Sequence, residues 1–280
     1  MTRSLICGLE RSAADFNLNP DRLSNLSDTV IVLAGVRTLM QAIGLKRKGL
    51  FQRLLAGPNI VVFSDDYNSI IAAPDIDIVI TPSDWVADVY LQDNPSLIGR
   101  TFAWPAGVDI NYWAPQRGGV RESILIFDKR SEEDDPNRIE PYVGYLRALG
   151  FKVDVLLRGG TLEYTHGYYR SLLQSCMLMV GFTIGSESQG VAWAEAWAMD
   201  VPTLIQRNSV NIFRGRRYNC STAPYLCAEN GLFFDDFDDF RICFAFWQSN
   251  RECFSARAWT SRNLSDEVCA KLLYEKAVVC

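Results

Sequence analysis

The stretch that decides the fold lies in the second half of the chain and reads Gly185-Ser-Glu187-Ser-Gln-Gly190-Val-Ala-Trp-Ala-Glu195-Ala-Trp-Ala-Met-Asp200-Val-Pro202-Thr-Leu-Ile205. From Gly190 to Met199 nearly every residue is apolar, which predicts a helix that is buried on all sides. Short apolar runs that favour β-strands lie on both sides of it, at 177–180 and 201–205. A buried helix between two buried strands indicates a parallel sheet that is covered on both faces.

The same alternation of strands and helices runs through the rest of the chain. The predicted strands are 29–33, 59–63, 76–80, 123–127 and 151–157, and the predicted helices include 37–55, 83–92, 139–149 and 168–174. A segment rich in turn formers, 104–119, separates two such series. We therefore predict an α/β fold of two Rossmann-like domains, residues 1–116 and 117–265. A C-terminal helix at 266–280 could pack on either domain.

Composition excludes several classes of protein. The net charge of −5 argues against a nucleic-acid-binding protein. A single histidine and eight cysteines without a C-x-x-C pair argue against a zinc site. No apolar run has the roughly 20 residues that a membrane-spanning helix needs, and the apolar stretch at the N-terminus is too short for a secretory signal. From these features we expect a cytoplasmic protein.

Two glutamates in the opening stretch are candidates for a ligand site. The free N–H groups at the start of the helix near Gly190 are suited to an anion such as a diphosphate. Glu187 precedes that helix, and Glu195 lies inside it at a buried position, which is costly unless the carboxylate is hydrogen-bonded. One carboxylate could meet a sugar and the other ribose hydroxyls. The alternative is that Glu195 forms a salt bridge to a neighbouring layer of the fold.

The Glu187 and Glu195 pair, with Gly190 between them and Pro202 after them, resembles the E-x7-E motif of retaining GT-B glycosyltransferases, in particular family 4 (group 1). Further elements follow in the order found in that family. These are Thr81-Pro-Ser83-Asp-Trp-Val86, Trp104-Pro-Ala-Gly107-Val-Asp109 and Asn230-Gly-Leu-Phe-Phe234. The resemblance implies two Rossmann-like domains facing a cleft, with the N-terminal domain shortened to about 115 residues.

The resemblance also implies a role for each residue of this stretch. Glu187 would contact the donor sugar as a catalytic residue, and Glu195 would bind the ribose. The rest of the donor site would be the loop and the first helical residues, Gly185, Ser188, Gln189, Gly190 and Val191. Lys129 or Arg158 would hold the diphosphate, so that no metal and no cofactor would be needed. For Lys129 the alternative is that it neutralises the acidic residues 132–135 on a surface loop.

The first half carries weaker signals for the acceptor side. The run 4–8 could be the first strand of the family, although no Gly-Gly follows it. Where the family often has a histidine, this chain has Asp65 and Asp66, which either bind acceptor hydroxyls or cap the next turn. The acceptor itself, a glycan, a lipid-linked sugar or a small molecule, is left open. Transfer with retention is implied by the resemblance alone. If an acceptor-side aspartate acted as a general base for direct displacement, the transfer would invert the anomeric configuration.

Two further alternatives concern partners and function. Lys46, Arg47 and Lys48 lie in a basic amphipathic stretch that either makes a weak peripheral contact with a membrane or forms a solvated helix face. The second alternative concerns function. A chain with a short first domain could be a non-catalytic nucleotide-sugar or glycan binding protein, degenerate in its acceptor half.

Overall fold

The computed structural model describes residues 2–20, 22, 26–116, 118–129, 135, 137–157 and 165–278. The chain forms two compact α/β units. The first contains Met1–Gly107 together with Asp266–Cys280, and the second contains Val108–Ser265. The sequence placed the junction at 116/117 and left the C-terminal helix with either domain. In the structure that helix belongs to the first unit.

The first unit is built on a four-stranded parallel sheet in the order β1-β2-β3-β4. Its strands are β1 (Thr29–Ala34), β2 (Arg53–Asn59), β3 (Ile78–Thr81) and β4 (Thr101–Ala103). Its helices are α1 (Thr2–Arg11), α2 (Val36–Arg47), α3 (Asp66–Ser69), α4 (Asp84–Asp93) and α10 (Asp266–Val278).

Helices cover both faces of this sheet. Successive strand residues point to opposite faces, so they enter two different clusters. Leu54 and Val79 pack into a cluster with residues of α2 and α4. Leu55 and Ile80 pack into the opposite cluster, with α1 and α10. The two helices on that second face lie very close together, since a Cβ added to Gly8 would come within 2.6 Å of the Ala270 Cβ atom.

Two sequence-based expectations for the first unit are wrong. The run 4–8, expected as a strand, belongs to α1. The strand expected at 59–63 lies earlier in the chain, at 53–59. It therefore begins inside the segment for which the sequence predicts a helix, 37–55. Gly57 and Pro58 argued locally against a strand there, but hydrogen bonding to β1 and β3 on either side fixes one. Tertiary context overrides local preference at this position.

The second unit contains a five-stranded parallel sheet in the order β11-β8-β7-β5-β6. These strands are β5 (Ser123–Lys129), β6 (Lys152–Leu157), β7 (Cys176–Thr183), β8 (Thr203–Gln206) and β11 (Gly231–Phe234). The helices are α5 (Glu140–Ala148), α6 (His166–Ser175), α7 (Val191–Ala198), α8 (Phe237–Ser249) and α9 (Ala256–Asn263). The predicted parallel α/β architecture is confirmed.

The strand order creates a switch point in this sheet. The chain moves from β5 outward to β6 and then returns to the other side of β5 to form β7. Helix α5 packs with α8 on one face of the sheet, whereas α6 packs against β5 and β7. In open parallel sheets, ligands bind beyond the carboxyl ends of the strands at such a point.

A small hairpin that the sequence did not predict follows β8. Its strands, β9 (Val210–Phe213) and β10 (Arg216–Asn219), pair antiparallel. The two residues between them, Arg214 and Gly215, both have positive φ, 51° and 75°. This backbone matches the tight two-residue turns that the twist of a hairpin favours.

Candidate functional site

The carboxyl ends of β5 and β7 bring the candidate residues together. Lys129 is the last residue of β5 and pairs in register with Thr183, the last residue of β7. Both strands are nearly continuous apolar runs, so their ends lie at the edge of a rigid, buried sheet. The loop that carries Glu187 starts immediately after Thr183. The site therefore sits at the switch point of the second sheet.

Lys129 and Glu187 form an ion pair at this edge. The Lys129 Nζ atom donates to the Glu187 Oε1 atom at 2.8 Å, and the two side chains are 8% and 20% exposed. The Thr183 hydroxyl donates to the same oxygen at 3.3 Å. The ammonium also lies 4.3 Å from the ring centroid of Trp193, within the range of a cation–π interaction. The loop glutamate and the α7 indole thus fix the lysine in place.

Glu195 is the third ionisable group of the cluster. It lies on α7 with 5% of its surface exposed. Burial raises the pKa of its carboxyl to about 8, and the positive charge of Lys129 opposes this rise. The carboxyl is therefore largely protonated at neutral pH, so it can donate as well as accept a hydrogen bond.

Gly190 starts α7 in a left-handed conformation with φ of 72°. A Cβ atom here would lie 2.4 Å from the Trp193 Cδ1 atom. The glycine is thus required twice, for its backbone angle and for the indole that packs against it. The indole N–H of Trp193 donates to the Thr222 carbonyl at 2.9 Å, which fixes the ring that Lys129 contacts.

The β9–β10 hairpin holds the loop between β7 and α7. The side-chain amide of Asn208, just before β9, donates to the Gly185 carbonyl at 2.7 Å. The amide of Asn211 donates to the Ser186 Oγ atom at 3.2 Å. The Glu187 N–H donates to the Ser221 carbonyl at 2.9 Å, just beyond the hairpin. These contacts place Glu187 opposite Lys129.

The remaining candidates of the second unit lie around this cluster. Ser188 is exposed, Gln189 is half-buried, and Val191 is 44% exposed at the start of α7. The three therefore line the exposed rim of the loop and helix start. Arg158 lies outside the described residues, and Lys129, the other candidate for holding the diphosphate, lies at this site.

Asp128 and Arg138 are two charged residues that sequence reasoning did not assign to the site. Asp128 is fully buried beside Lys129, and the Arg138 guanidinium forms an ion pair with it. Arg138 lies just before α5. A charged residue inside an otherwise apolar strand was the signal that could have indicated Asp128. Its arginine partner was not foreseeable, because ten residues and a turn separate them.

In the first unit, Asp66 acts on its own loop. One of its carboxylate oxygens accepts from the N–H groups of Val62 and Phe63, at 3.1 and 3.0 Å. Both N–H groups precede Asp66, so its carboxylate closes the preceding turn and not the next one, and the Asp65 side chain is exposed. The following residues, 67–69, have left-handed φ angles between 53° and 57°.

Two of the three basic residues at the end of α2, Lys46 and Arg47, are paired with acidic residues, and Lys48 is exposed. Lys46 forms an ion pair with Asp77 and also donates to the Asp75 carbonyl at 2.7 Å. The Arg47 guanidinium forms an ion pair with Asp75 at 2.7 Å. These contacts support the solvated helix face rather than a membrane contact for this stretch.

The described residues offer neither a metal site nor a membrane-spanning helix. Among those residues, no group of three or more His, Cys, Asp or Glu side chains is arranged to hold a metal ion. No helix within the described ranges is long and apolar enough to cross a bilayer.

No protein-family model and no curated protein sequence matches this chain. Solved structures do. Alr3699/HepE of Anabaena in complex with UDP-glucose has a TM-score of 0.56 and 12% identity, with 86% of this chain and 76% of that chain covered. The lipopolysaccharide outer core galactosyltransferase WaaB has a TM-score of 0.57 and 12% identity, covering 90% of this chain and 75% of its own.

A glycosyltransferase from Rickettsia africae has a TM-score of 0.55 and 10% identity, with 98% of this chain and 88% of that chain covered. At such low identity the likeness concerns the fold alone. It extends over both α/β units, since each comparison covers most of the chain. The chain has the GT-B fold.

Proposed function

We propose that this chain is a glycosyltransferase that moves a sugar from a nucleotide-diphosphate sugar to an acceptor. The observation that carries the proposal is the cluster of Lys129, Glu187 and Glu195 at the switch point of the second sheet. Buried charges are costly and concentrate at functional sites. The fold is shared with proteins whose structures contain UDP-glucose or UDP, which is the class of donor we propose.

Each residue of the cluster suits one part of such a donor. The Lys129 ammonium and the free N–H groups at the start of α7 would hold the diphosphate. The Glu195 carboxyl, which keeps its proton at neutral pH, can both donate to and accept from the neighbouring hydroxyls of a ribose. Glu187 would turn from Lys129 to a hydroxyl of the donor sugar once the diphosphate neutralises the lysine.

For the chemical step we propose transfer with retention and without a metal. The bond between the anomeric carbon and the phosphate oxygen breaks, and its electron pair remains on the diphosphate. The acceptor oxygen bonds to the anomeric carbon on the same face and gives its proton to the leaving phosphate oxygen. Lys129 and the α7 N–H groups stabilise the charge that develops there. The engagement of Asp66 with its own loop supports a mechanism without an aspartate base.

The test is a thermal-shift screen with UDP-, GDP-, ADP- and dTDP-sugars, followed by measurement of released nucleoside diphosphate. We expect one donor class to raise the Tm and to be slowly hydrolysed. Lys129→Met should weaken that donor by roughly 10- to 100-fold, since it removes a charge-assisted contact. The matched control is Lys152→Met, because Lys152 lies on the same sheet but is 57% exposed and pairs with Glu122.

The outcomes separate the two functions considered. If none of the four donor classes raises the Tm, the proposed assignment of the donor site is wrong. If a donor binds but no diphosphate is released even with candidate acceptors, the chain is a nucleotide-sugar binding protein. Equal weakening by Lys129→Met and Lys152→Met would remove the lysine from the site.

A further inference from the structure

Asn211, on strand β9, packs against the loop that leads to Glu187. The backbone of that loop turns at Gly185, which has φ of 68°. A Cβ atom added to Gly185 would lie 2.6 Å from the Asn211 Nδ2 atom and 2.7 Å from its Oδ1 atom. The Asn211 amide therefore fills the space that any side chain at position 185 would need, and the glycine allows this close approach.

The same amide is hydrogen-bonded to the residue before Glu187. The Asn211 Nδ2 atom donates to the Ser186 Oγ atom at 3.2 Å and to the Tyr218 hydroxyl at 2.8 Å. Tyr218 is the cross-strand partner of Asn211 on β10. The Asn211 Oδ1 atom accepts from the Ile212 N–H at 2.8 Å. Contacts at both its nitrogen and its oxygen thus fix the orientation of the amide.

Glu187 lies on a loop, so its position depends on contacts with other segments. Its N–H donates to the Ser221 carbonyl at 2.9 Å, and its carboxylate pairs with Lys129. When a reacting group is misplaced by about 1 Å, the rate can fall by roughly 10²-fold. A contact between Glu187 and a substrate therefore requires side chains that hold this loop in one conformation.

We propose that Asn211 is a positioning residue that holds Glu187 for contact with the sugar of the donor. The inference rests on the proposed function, which assigns that contact to Glu187. Asn211 contacts Gly185 and Ser186, so it acts on Glu187 through the loop.

The consequence is a role in specificity. In the proposed donor complex, Lys129 and the start of α7 hold the diphosphate, whereas Glu187 contacts the sugar alone. Loss of the loop anchor should therefore weaken a nucleotide sugar more than the nucleoside diphosphate without its sugar. Asn211 thus sets how strongly the chain prefers the first of these ligands to the second.

The first test measures that preference by titration calorimetry with the full chain. The probes are UDP, GDP, ADP and dTDP and their glucose conjugates, and the preference is the ratio of the two Kd values for the base that binds best. Asn211→Ala should lower this ratio by roughly fivefold and leave the Kd of the nucleoside diphosphate within about twofold, because only a hydrogen bond to the sugar is lost.

A merely structural role would not give this result, since a damaged site would weaken both ligands. Glu187→Ala should lower the preference as well. Adding Asn211→Ala to Glu187→Ala should change it further by less than about twofold, because both substitutions remove the same contact. The matched control is Asn219→Ala, at an exposed position of β10, which should change neither Kd.

Amide hydrogen exchange tests the positioning without any donor. Asn211→Ala should speed exchange of the Glu187 N–H by roughly tenfold, because the loop then opens more often. The Met179 N–H, which donates to the Pro202 carbonyl at 3.0 Å, is the internal reference and should exchange at an unchanged rate. Asn219→Ala should alter neither rate.

Tyr218→Phe provides a second variant in case Asn211→Ala does not fold. It keeps the ring and removes one acceptor of the Asn211 amide. We expect it to change the preference and the Glu187 exchange rate in the same direction as Asn211→Ala, by about twofold each.

Three results would overturn the proposal. They are unchanged exchange of the Glu187 N–H in Asn211→Ala, equal weakening of both ligands, and additive losses of preference in the double variant with Glu187→Ala. If no probe binds the unchanged chain, the proposed function fails, and hydrogen exchange alone decides whether Asn211 holds the loop. Faster exchange then supports that role, and an unchanged rate removes it.

Discussion

The two parallel sheets of this chain differ at their carboxyl ends. In the first unit, the buried polar side chains around the ends of β2 and β3 are neutral hydroxyls, those of Ser64, Thr81 and Ser83. In the second unit, two charged residues at the end of β5, Asp128 and Lys129, are buried, and Glu195 lies nearby on α7. The same architecture therefore has a neutral edge in one unit and an ionic edge in the other.

The difference teaches where ligand-binding capacity is concentrated. A buried ionic cluster contributes little to folding, and an apolar replacement of similar volume is often as stable. Such a cluster is instead suited to a charged ligand that completes its electrostatics. We therefore propose that donor recognition lies in the second unit, and we expect it to depend little on side chains of the first.

The largest effect should come from the glycine that shapes the ionic edge. Gly190→Ala introduces a Cβ at a positive φ and against the Trp193 ring. We expect it to lower the free energy of unfolding by roughly 3 kcal/mol, since left-handed strain and overpacking add. It should also displace the indole beneath Lys129 and weaken donor binding. Chemical denaturation and thermal shift measure the two effects.

Gly150 provides the matched control for this substitution. It has φ of 85°, but nothing lies within 4 Å of an added Cβ. Gly150→Ala therefore carries the backbone strain alone and should cost about 1 kcal/mol, with donor binding unchanged. If the two variants lose equal stability, the contact with Trp193 does not organise this edge.

The next effect is a pH dependence that arises from Glu195. Its pKa is about 8 in the folded chain, above the ordinary value of 4.5. Between these values the folded state holds the proton more tightly than the unfolded state does. This contribution to stability is complete below pH 4.5 and is lost as the pH rises through 8. Glu195→Gln removes it, so the variant should gain stability relative to the unchanged chain as the pH rises.

We expect that relative gain to reach roughly 2 kcal/mol by pH 8.5, a discounted share of the full pKa difference. Urea denaturation at several pH values measures it. Glu229, whose side chain is 44% exposed and pairs with Arg262, supplies the control Glu229→Gln, whose effect should stay nearly constant over the same range. If the free energies of unfolding of Glu195→Gln and Glu229→Gln differ from that of the unchanged chain by amounts that do not vary with pH, Glu195 is ionised in the folded chain.

The same contrast separates what the sequence could predict from what it could not. The strands of the second unit contain short apolar stretches, 124–127 in β5 and 155–157 in β6, so the expected strands 123–127 and 151–157 lie within two residues of β5 and β6. The glutamates and Gly190 stand out within one short segment. Such features depend on local pattern, which a sequence displays directly.

The rest depends on contacts between distant positions. Strand β2 forms against its own Gly-Pro because β1 and β3 pair with it. The N-terminal segment is a helix whose glycine, Gly8, allows close packing on α10, more than 250 positions away in the chain. The hairpin that anchors the Glu187 loop was missed because one glycine after an arginine is a weak turn signal.

The smallest effects concern Asp65 and Asp66 of the first unit, whose roles the sequence left open. Asp66→Ala removes the acceptor for two backbone N–H groups and should cost about 1.5 kcal/mol in urea denaturation. Asp65→Ala, at an exposed side chain, should change stability by less than about 0.5 kcal/mol.

Loss of a general base slows transfer by roughly 10²- to 10⁴-fold. A smaller loss in both variants is expected if the leaving phosphate takes the acceptor proton. A loss of that size in Asp65→Ala, with donor binding intact, would instead give the first unit a catalytic group and favour inversion.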